Sequence, residues 1–199
     1  MLPKVFFIGF NKTATCAFHQ FFLANHYNSF HWRNDTDYLA KKIVSNYAMN
    51  LDLLSGIDQY DVYSDFNYCE NNEYIEANEY YQELDEDYPH SYFIMQYRPL
   101  DDWILSRLNH VKNGKKDYII RVQKSLDLPN IDMVLDMWEE QWKVAHAEIA
   151  KYFKGYNKFL QFNVAEESID KIVHFLREDY ELDPKYFKRV NVSNEKTIK

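Results

Sequence analysis

The sequence predicts an α/β fold in which a mainly parallel sheet of about five strands is flanked by helices. Three observations carry this expectation. Short runs rich in Phe, Val, Ile and Tyr recur along the chain, the composition of buried strands. Segments with apolar residues at helical spacing lie between those runs, as βαβ crossovers require. No internal repeat and no Gly/Ser/Pro-rich linker divides the 199 residues, so one domain over 1–199 is expected.

Taken in order, strands are expected at 4–9, more weakly at 29–32, and then at 61–65, 91–98 and 158–163. Phe18, Phe21, Phe22 and Asn25 mark a helix after the first strand, and Leu39, Ile43, Val44 and Tyr47 mark a second. A more acidic helix is expected over 74–87, with further helices at 100–111, 131–153 and 168–180. The stretch 112–128, with Gly114 beside Lys115 and Lys116, reads as a surface excursion or lid, and the polar residues 194–199 as a fraying tail.

Composition narrows the function. A hydrophobic fraction of 46% with 18% aromatic residues excludes a disordered chain. The net charge of −8 opposes nucleic acid and anionic membranes as partners. Cys16 and Cys69 form neither a disulfide framework nor a metal-type pair. Met1 to Lys4 lead directly into a strand, and no apolar run nears the roughly 20 residues that span a bilayer, so a cytoplasmic protein is expected.

Residues 5–16, VFFIGFNKTATC, carry an apolar strand through Gly9 into a helix. Such a turn leaves several backbone N–H groups and the positive end of a helix dipole aimed at one spot, which suits an anion such as phosphate. Lys12 adds a charge there, and Thr13 and Thr15 add hydroxyl donors. Equally, Gly9 is only a tight turn, Lys12 a solvated residue and Thr15 an N-cap. The GK[ST] ending of a nucleotide triphosphatase loop is missing, since Lys12 stands three positions after Gly9 and is followed by Thr13 and Ala14.

A second stretch, SYFIMQYRPLDDWILSRLNH, ends a buried-type strand in Arg98, turns at Pro99 and starts a helix bearing Ser106 about two turns in. Ligands of open α/β sheets bind at the carboxyl ends of the strands, so Arg98 and Ser106 can share one phosphate beside the first loop.

GFNKTATCAF resembles the 5′-phosphosulfate-binding loop of the PAPS-dependent sulfotransferases, and YRPLDDWILS resembles the 3′-phosphate-binding segment of the same family. The resemblance runs from Val5 to about Asn191 and is that of a short bacterial or viral type of member with a three-layer P-loop-type domain. It implies that Lys12 contacts the 5′-phosphosulfate and stabilises the leaving oxygen. Asn11, Thr13, Ala14, Thr15 and Cys16 would complete the loop, with Thr15 also giving its hydroxyl. Arg98 and Ser106 would hold the 3′-phosphate. Two departures stand out: Ala14 replaces the usual Gly, where a positive φ would strain it, and Cys16 replaces a hydroxyl residue. YFKRVNVS also resembles the ending of short members, where Lys188 and Arg189 would close over the 3′-phosphate; a solvated basic pair is the alternative.

Sulfuryl transfer needs a base beside Lys12. The strand DVYSDF places Asp65 at its carboxyl end, a position that resembles the one after the family's third strand where a His or an acidic residue serves as base. Asp65 serves near neutral pH only if burial raises its pKa; a turn cap or a partner for Lys12 is the alternative. Glu70 is the second candidate. Phe66 and Tyr68 are expected to touch the acceptor, together with Glu70. His31, near a strand end, is a weaker acceptor contact, whereas His19 and the pair Trp138 and Trp142 are expected to pack.

The implied function is direct in-line transfer of a sulfuryl group from PAPS to a hydroxyl or amine of a small-molecule or glycan acceptor, with PAP as product and no metal. A P-loop kinase using ATP and Mg²⁺, and a catalytically silent nucleotide-binding module, are the alternatives. Acceptor identity and oligomeric state are not legible in the sequence.

Overall fold

Val5, Phe6, Phe7 and Ile8 are all fully buried. Successive strand residues point to opposite faces of a sheet, so this one run feeds two separate cores. The computed structural model of the chain describes residues 2–112 and 115–188. Its central sheet contains β1 (Val5–Phe7), β2 (Ser29–His31) and β3 (Val62–Ser64), all within the expected spans. A hairpin of β4 (Asn67–Glu70) and β5 (Glu73–Glu76) follows, then β6 (Tyr92–Tyr97), the short pair β7 (Val111–Lys112) and β8 (Lys115–Lys116), and β9 (Phe159–Asn163). The helices are α1 (Thr15–Ala24), α2 (Leu39–Ala48), α3 (Tyr81–Asp87), α4 (Leu100–Leu108), α5 (Tyr118–Ser125), α6 (Ile131–Tyr152) and α7 (Asp170–Leu176).

The five-stranded sheet has the order β2-β3-β1-β6-β9, and all its pairings are parallel. Helices cover both faces, giving the three layers of a P-loop-type fold. On one face Phe6, Ile8, Phe30, Tyr63, Phe93 and Met95 pack with Leu39 and Ile43 of α2 and Ile149 of α6. On the other, Val5, Phe7, Val62 and Ile94 pack with Phe18, Phe21 and Phe22 of α1 and Ile172 and Leu176 of α7. β1 is central, so the loop that follows it lies in the middle of the sheet's carboxyl edge.

Gly9 is required by close approach. A Cβ there would lie 1.9 Å from the carbonyl oxygen of Gln96 on the neighbouring strand β6. The buried Gln96 amide instead accepts from Gly9 N at 2.9 Å and donates to Gly9 O at 3.3 Å. The two strands that carry the loop and Arg98 are thereby locked together.

Two expectations need correction. Residues 74–87 are not one helix: β5 and a 3₁₀ turn (Ala77–Tyr80) precede α3. Asn71 and Asn72, both at positive φ, form the two-residue turn of the β4–β5 hairpin, a role their short polar side chains tolerate. Nor do residues 118–125 belong to a surface excursion, because α5 buries Tyr118, Ile119 and Val122 against Trp103 and Trp138. Each of those side chains contributes about 1.5–3 kcal/mol through burial, so the segment is part of the core. Gly114 and the tail 194–199 lie outside the described residues. No described helix is long and apolar enough to cross a membrane.

Candidate active site

At the carboxyl ends of β1, β2, β3 and β6 the structure opens a cleft of about 380 Å³. Asn11, Lys12 and residues 14–17 of the loop, His31 and Trp32, Asp65, and Arg98 line it from those four strands, with Asn67 and Glu70 from β4. Ser106 and His110 contribute from α4 and its end, and Tyr118 and Arg121 from α5. Ligands of open α/β sheets bind at this edge because helix N-termini and strand-end loops converge there.

The loop is held in an unusual shape. Lys12 and Ala14 both have positive φ, 68° and 63°. Ala14 occupies the N-cap position of α1 and no side chain caps the helix, so its first N–H groups face the cleft region uncapped. Thr13 turns inward, donating its hydroxyl to Phe10 O at 2.5 Å. A left-handed L-residue costs about 1–2 kcal/mol, part of which Ala recovers by stiffening the unfolded chain. Ala14→Gly is therefore expected to raise stability by up to ~1 kcal/mol in urea denaturation, with the loop conformation unchanged.

A buried polar network fixes the loop from behind. Arg107 is fully buried; its Nε donates to Asn11 Oδ1 at 2.9 Å, and its guanidinium pairs with Glu76 at 2.5 Å. Trp103 Nε1 donates to Asn11 O at 3.0 Å, and Asn11 Nδ2 donates to Asn67 Oδ1 at 3.0 Å and to the Tyr118 hydroxyl at 3.1 Å. Asn11 thus acts through its side chain as the anchor of the loop, while Lys12 is left beside the open cleft.

The charged groups of the cleft sense one another. Burial lowers the pKa of Lys12; Asp65 opposes that shift and Arg98 adds to it. Asp65 has φ 62°, and its Oδ2 accepts from Thr15 Oγ1 at 3.2 Å. Burial pushes its carboxyl up to about 6, against the hydrogen bonds from Thr15 and the Asn67 backbone and the charges of Lys12 and Arg107. Burial and the Asp65 charge both raise the Cys16 thiol, so it stands in the loop as a neutral group.

His31 sits across from the carboxylate, with Nε2 3.9 Å from Asp65 Oδ2 and Nδ1 3.2 Å from Ser64 Oγ. Its ring stacks on His19 at 5.2 Å, and His19 Nδ1 contacts Ser29 Oγ at 2.9 Å. Burial lowers both imidazoles to about 4, so both are neutral at physiological pH.

Of the residues singled out in the sequence, Asn11, Lys12, Ala14, Thr15, Cys16, Asp65, Glu70, Arg98 and Ser106 all line this one cleft. Thr13 is buried behind it. Phe66 and Tyr68 do not line it: each is 1% exposed and packed in the core below β3. Asn67 and Cys69 alternate with Phe66 and Tyr68 and reach the cleft, and Glu70 joins them at the end of β4. Lys188 is exposed and is not among the lining residues, and Arg189 lies outside the described residues. Sequence reasoning missed Arg107, Asn67, Tyr118 and His110. Arg107 had a signal, because it falls four residues after Trp103 on the apolar stripe of α4, where a buried charge demands a partner. Among the described residues no group of three or more His, Cys, Asp or Glu side chains is arranged to hold a metal ion.

A family model described as a sulfotransferase domain matches residues 4–173. No curated protein matches the chain.

Proposed function

The chain belongs to the sulfotransferase-domain family, and from that premise we propose that it transfers a sulfuryl group from 3′-phosphoadenosine 5′-phosphosulfate to an acceptor hydroxyl or amine. The observation that carries the reading is the meeting of Lys12, Arg98 and the uncapped start of α1 with the Asp65 carboxylate in a single cleft. Cations and N–H groups suit a donor with two anionic groups, and a carboxylate held near neutrality suits proton removal from an acceptor.

The donor supplies a sulfur already bonded to a good leaving group. The chain's residues do the rest. Lys12 and the α1 N–H groups stabilise charge gathering on the phosphate oxygen, as preorganised donors do wherever charge develops. Arg98 and Ser106 hold the second phosphate and so fix the donor's position, which is most of what an in-line displacement asks of a protein. Asp65 takes the acceptor proton. Thr15, bonded to that carboxylate, orients it from the first turn of α1.

Calorimetric titration with adenosine 3′,5′-bisphosphate, in parallel with ATP plus Mg²⁺, tests the donor. Arg98→Ala is expected to weaken bisphosphate binding roughly 10- to 100-fold, the worth of a hydrogen bond to a charged group. Binding of ATP with Mg²⁺ in preference to the bisphosphate would instead identify a phosphoryl-transfer enzyme.

A further inference from the structure

The buried Ser64 hydroxyl, 0% exposed, has His31 Nδ1 as its side-chain neighbour at 3.2 Å. A buried hydroxyl needs an acceptor for its hydrogen, and a ring nitrogen without hydrogen is one. If Ser64 donates to Nδ1, the neutral ring carries its only N–H on Nε2, the nitrogen that faces Asp65. Nε2 and Asp65 Oδ2 are 3.9 Å apart, too far for a direct hydrogen bond. A substrate atom about 2.8 Å from both fits between them as a bridge.

We infer that His31 and Asp65 together select an oxygen acceptor: His31 Nε2–H donates to the acceptor atom while Asp65 takes that atom's hydrogen. The inference rests on the sulfotransferase reading above and narrows its acceptor to alcohols or phenols. The reason is the count of lone pairs. A hydroxyl oxygen has two, so it accepts from His31 with one and attacks sulfur with the other, while its O–H points to Asp65. A neutral primary amine has one lone pair, needed for the attack, and leaves the His31 N–H without a partner. A buried donor without a partner is penalised, which makes the pair a filter against nitrogen. In the transfer itself the acceptor O–S bond forms and the bond from sulfur to the phosphate oxygen breaks. The electron pair leaves on that phosphate oxygen, and the acceptor proton goes to the Asp65 carboxylate.

The chain's use of acceptors is best tested with probes small enough for any cleft: methanol and methylamine, with 3′-phosphoadenosine 5′-phosphosulfate as donor. Per molecule of neutral nucleophile, methyl sulfate is expected to form at least about tenfold faster than N-methylsulfamate, although the amine is the stronger nucleophile. His31→Ala should cut methyl sulfate formation roughly tenfold and shrink the oxygen-to-nitrogen ratio, and His31→Gln, which keeps an N–H donor, should restore part of both. Independently of turnover, ¹⁵N NMR of the imidazole should show the hydrogen on Nε2 of His31 and not on Nδ1. An Nδ1–H ring, equal use of methylamine, or a His31→Ala enzyme with unchanged selectivity overturns the inference. Bisphosphate binding by calorimetry separates the two failures: binding with no methyl sulfate formed sinks this inference alone, whereas no binding sinks the sulfotransferase reading beneath it.

Discussion

Arg107→Ala is expected to lower the free energy of unfolding by about 3–5 kcal/mol in urea denaturation, the cost of leaving one partner of a buried ion pair alone. Glu76, whose side chain is 3% exposed, would lose the guanidinium that pairs with it at 2.5 Å. Tyr74, which donates to the same Glu76 oxygen at 2.6 Å, cannot neutralise it. The guanidinium also stacks over Trp103, 4.1 Å from its ring centroid, so truncation opens space in the core beneath α4 and α5. Removing both charges, as in Arg107→Met with Glu76→Gln, should cost less than Arg107→Ala alone, because no bare ion is left behind. The functional effect follows from Asn11, whose Oδ1 accepts from Arg107 Nε at 2.9 Å. Released from that bond, the loop bearing Lys12 should bind adenosine 3′,5′-bisphosphate more weakly even in a variant that remains folded. A stability loss under about 1 kcal/mol would show that Glu76 finds another partner or is not charged.

Asp65→Asn carries the largest expected effect on turnover, a fall of roughly 10²- to 10⁴-fold, as for loss of a general base, with bisphosphate affinity retained. The wild-type rate should climb as pH rises and level off above about 6, because burial holds the Asp65 carboxyl there instead of at its ordinary 3.8. The variant should lose that limb. Stability runs the other way. A carboxyl raised on folding favours the folded state while protonated, so its contribution is fully present below the unfolded value of 3.8 and is lost as pH rises through about 6. Asn does not titrate, so Asp65→Asn should be more stable than wild type at pH 7, with the gain vanishing below about pH 4. With the side chain 19% exposed, solvent screening keeps that gain modest. A variant that keeps wild-type turnover would remove Asp65 from the chemistry, and Glu70, which accepts from the Tyr38 hydroxyl at 3.4 Å on the same cleft, would be next to test.

The layers and the loop are legible in the sequence. β1 and β6 are short and mostly apolar, as buried parallel strands are, and α6 is long enough for its period to show. Gly9 and Lys12 were visible for the same local reason: a strand end, a residue without Cβ and a charge are read from neighbours in the chain. Local signals misread the places where distant partners decide. Tyr74 and Ile75 fit a helical pattern, yet they pair as a strand because Asn71 and Asn72 turn the chain back on β4. Tyr118 and Val122 looked like part of a surface stretch, yet they are buried because Trp103 and Trp138 offer them a face. Phe66 and Tyr68 follow Asp65 closely in sequence, and the pleat sends them into the core. The Arg107 bond that anchors Asn11 and the 3.9 Å gap between His31 and Asp65 were set by tertiary structure. Each depends on residues 30 to 100 positions apart meeting at one sheet edge, a distance over which local propensity carries no information.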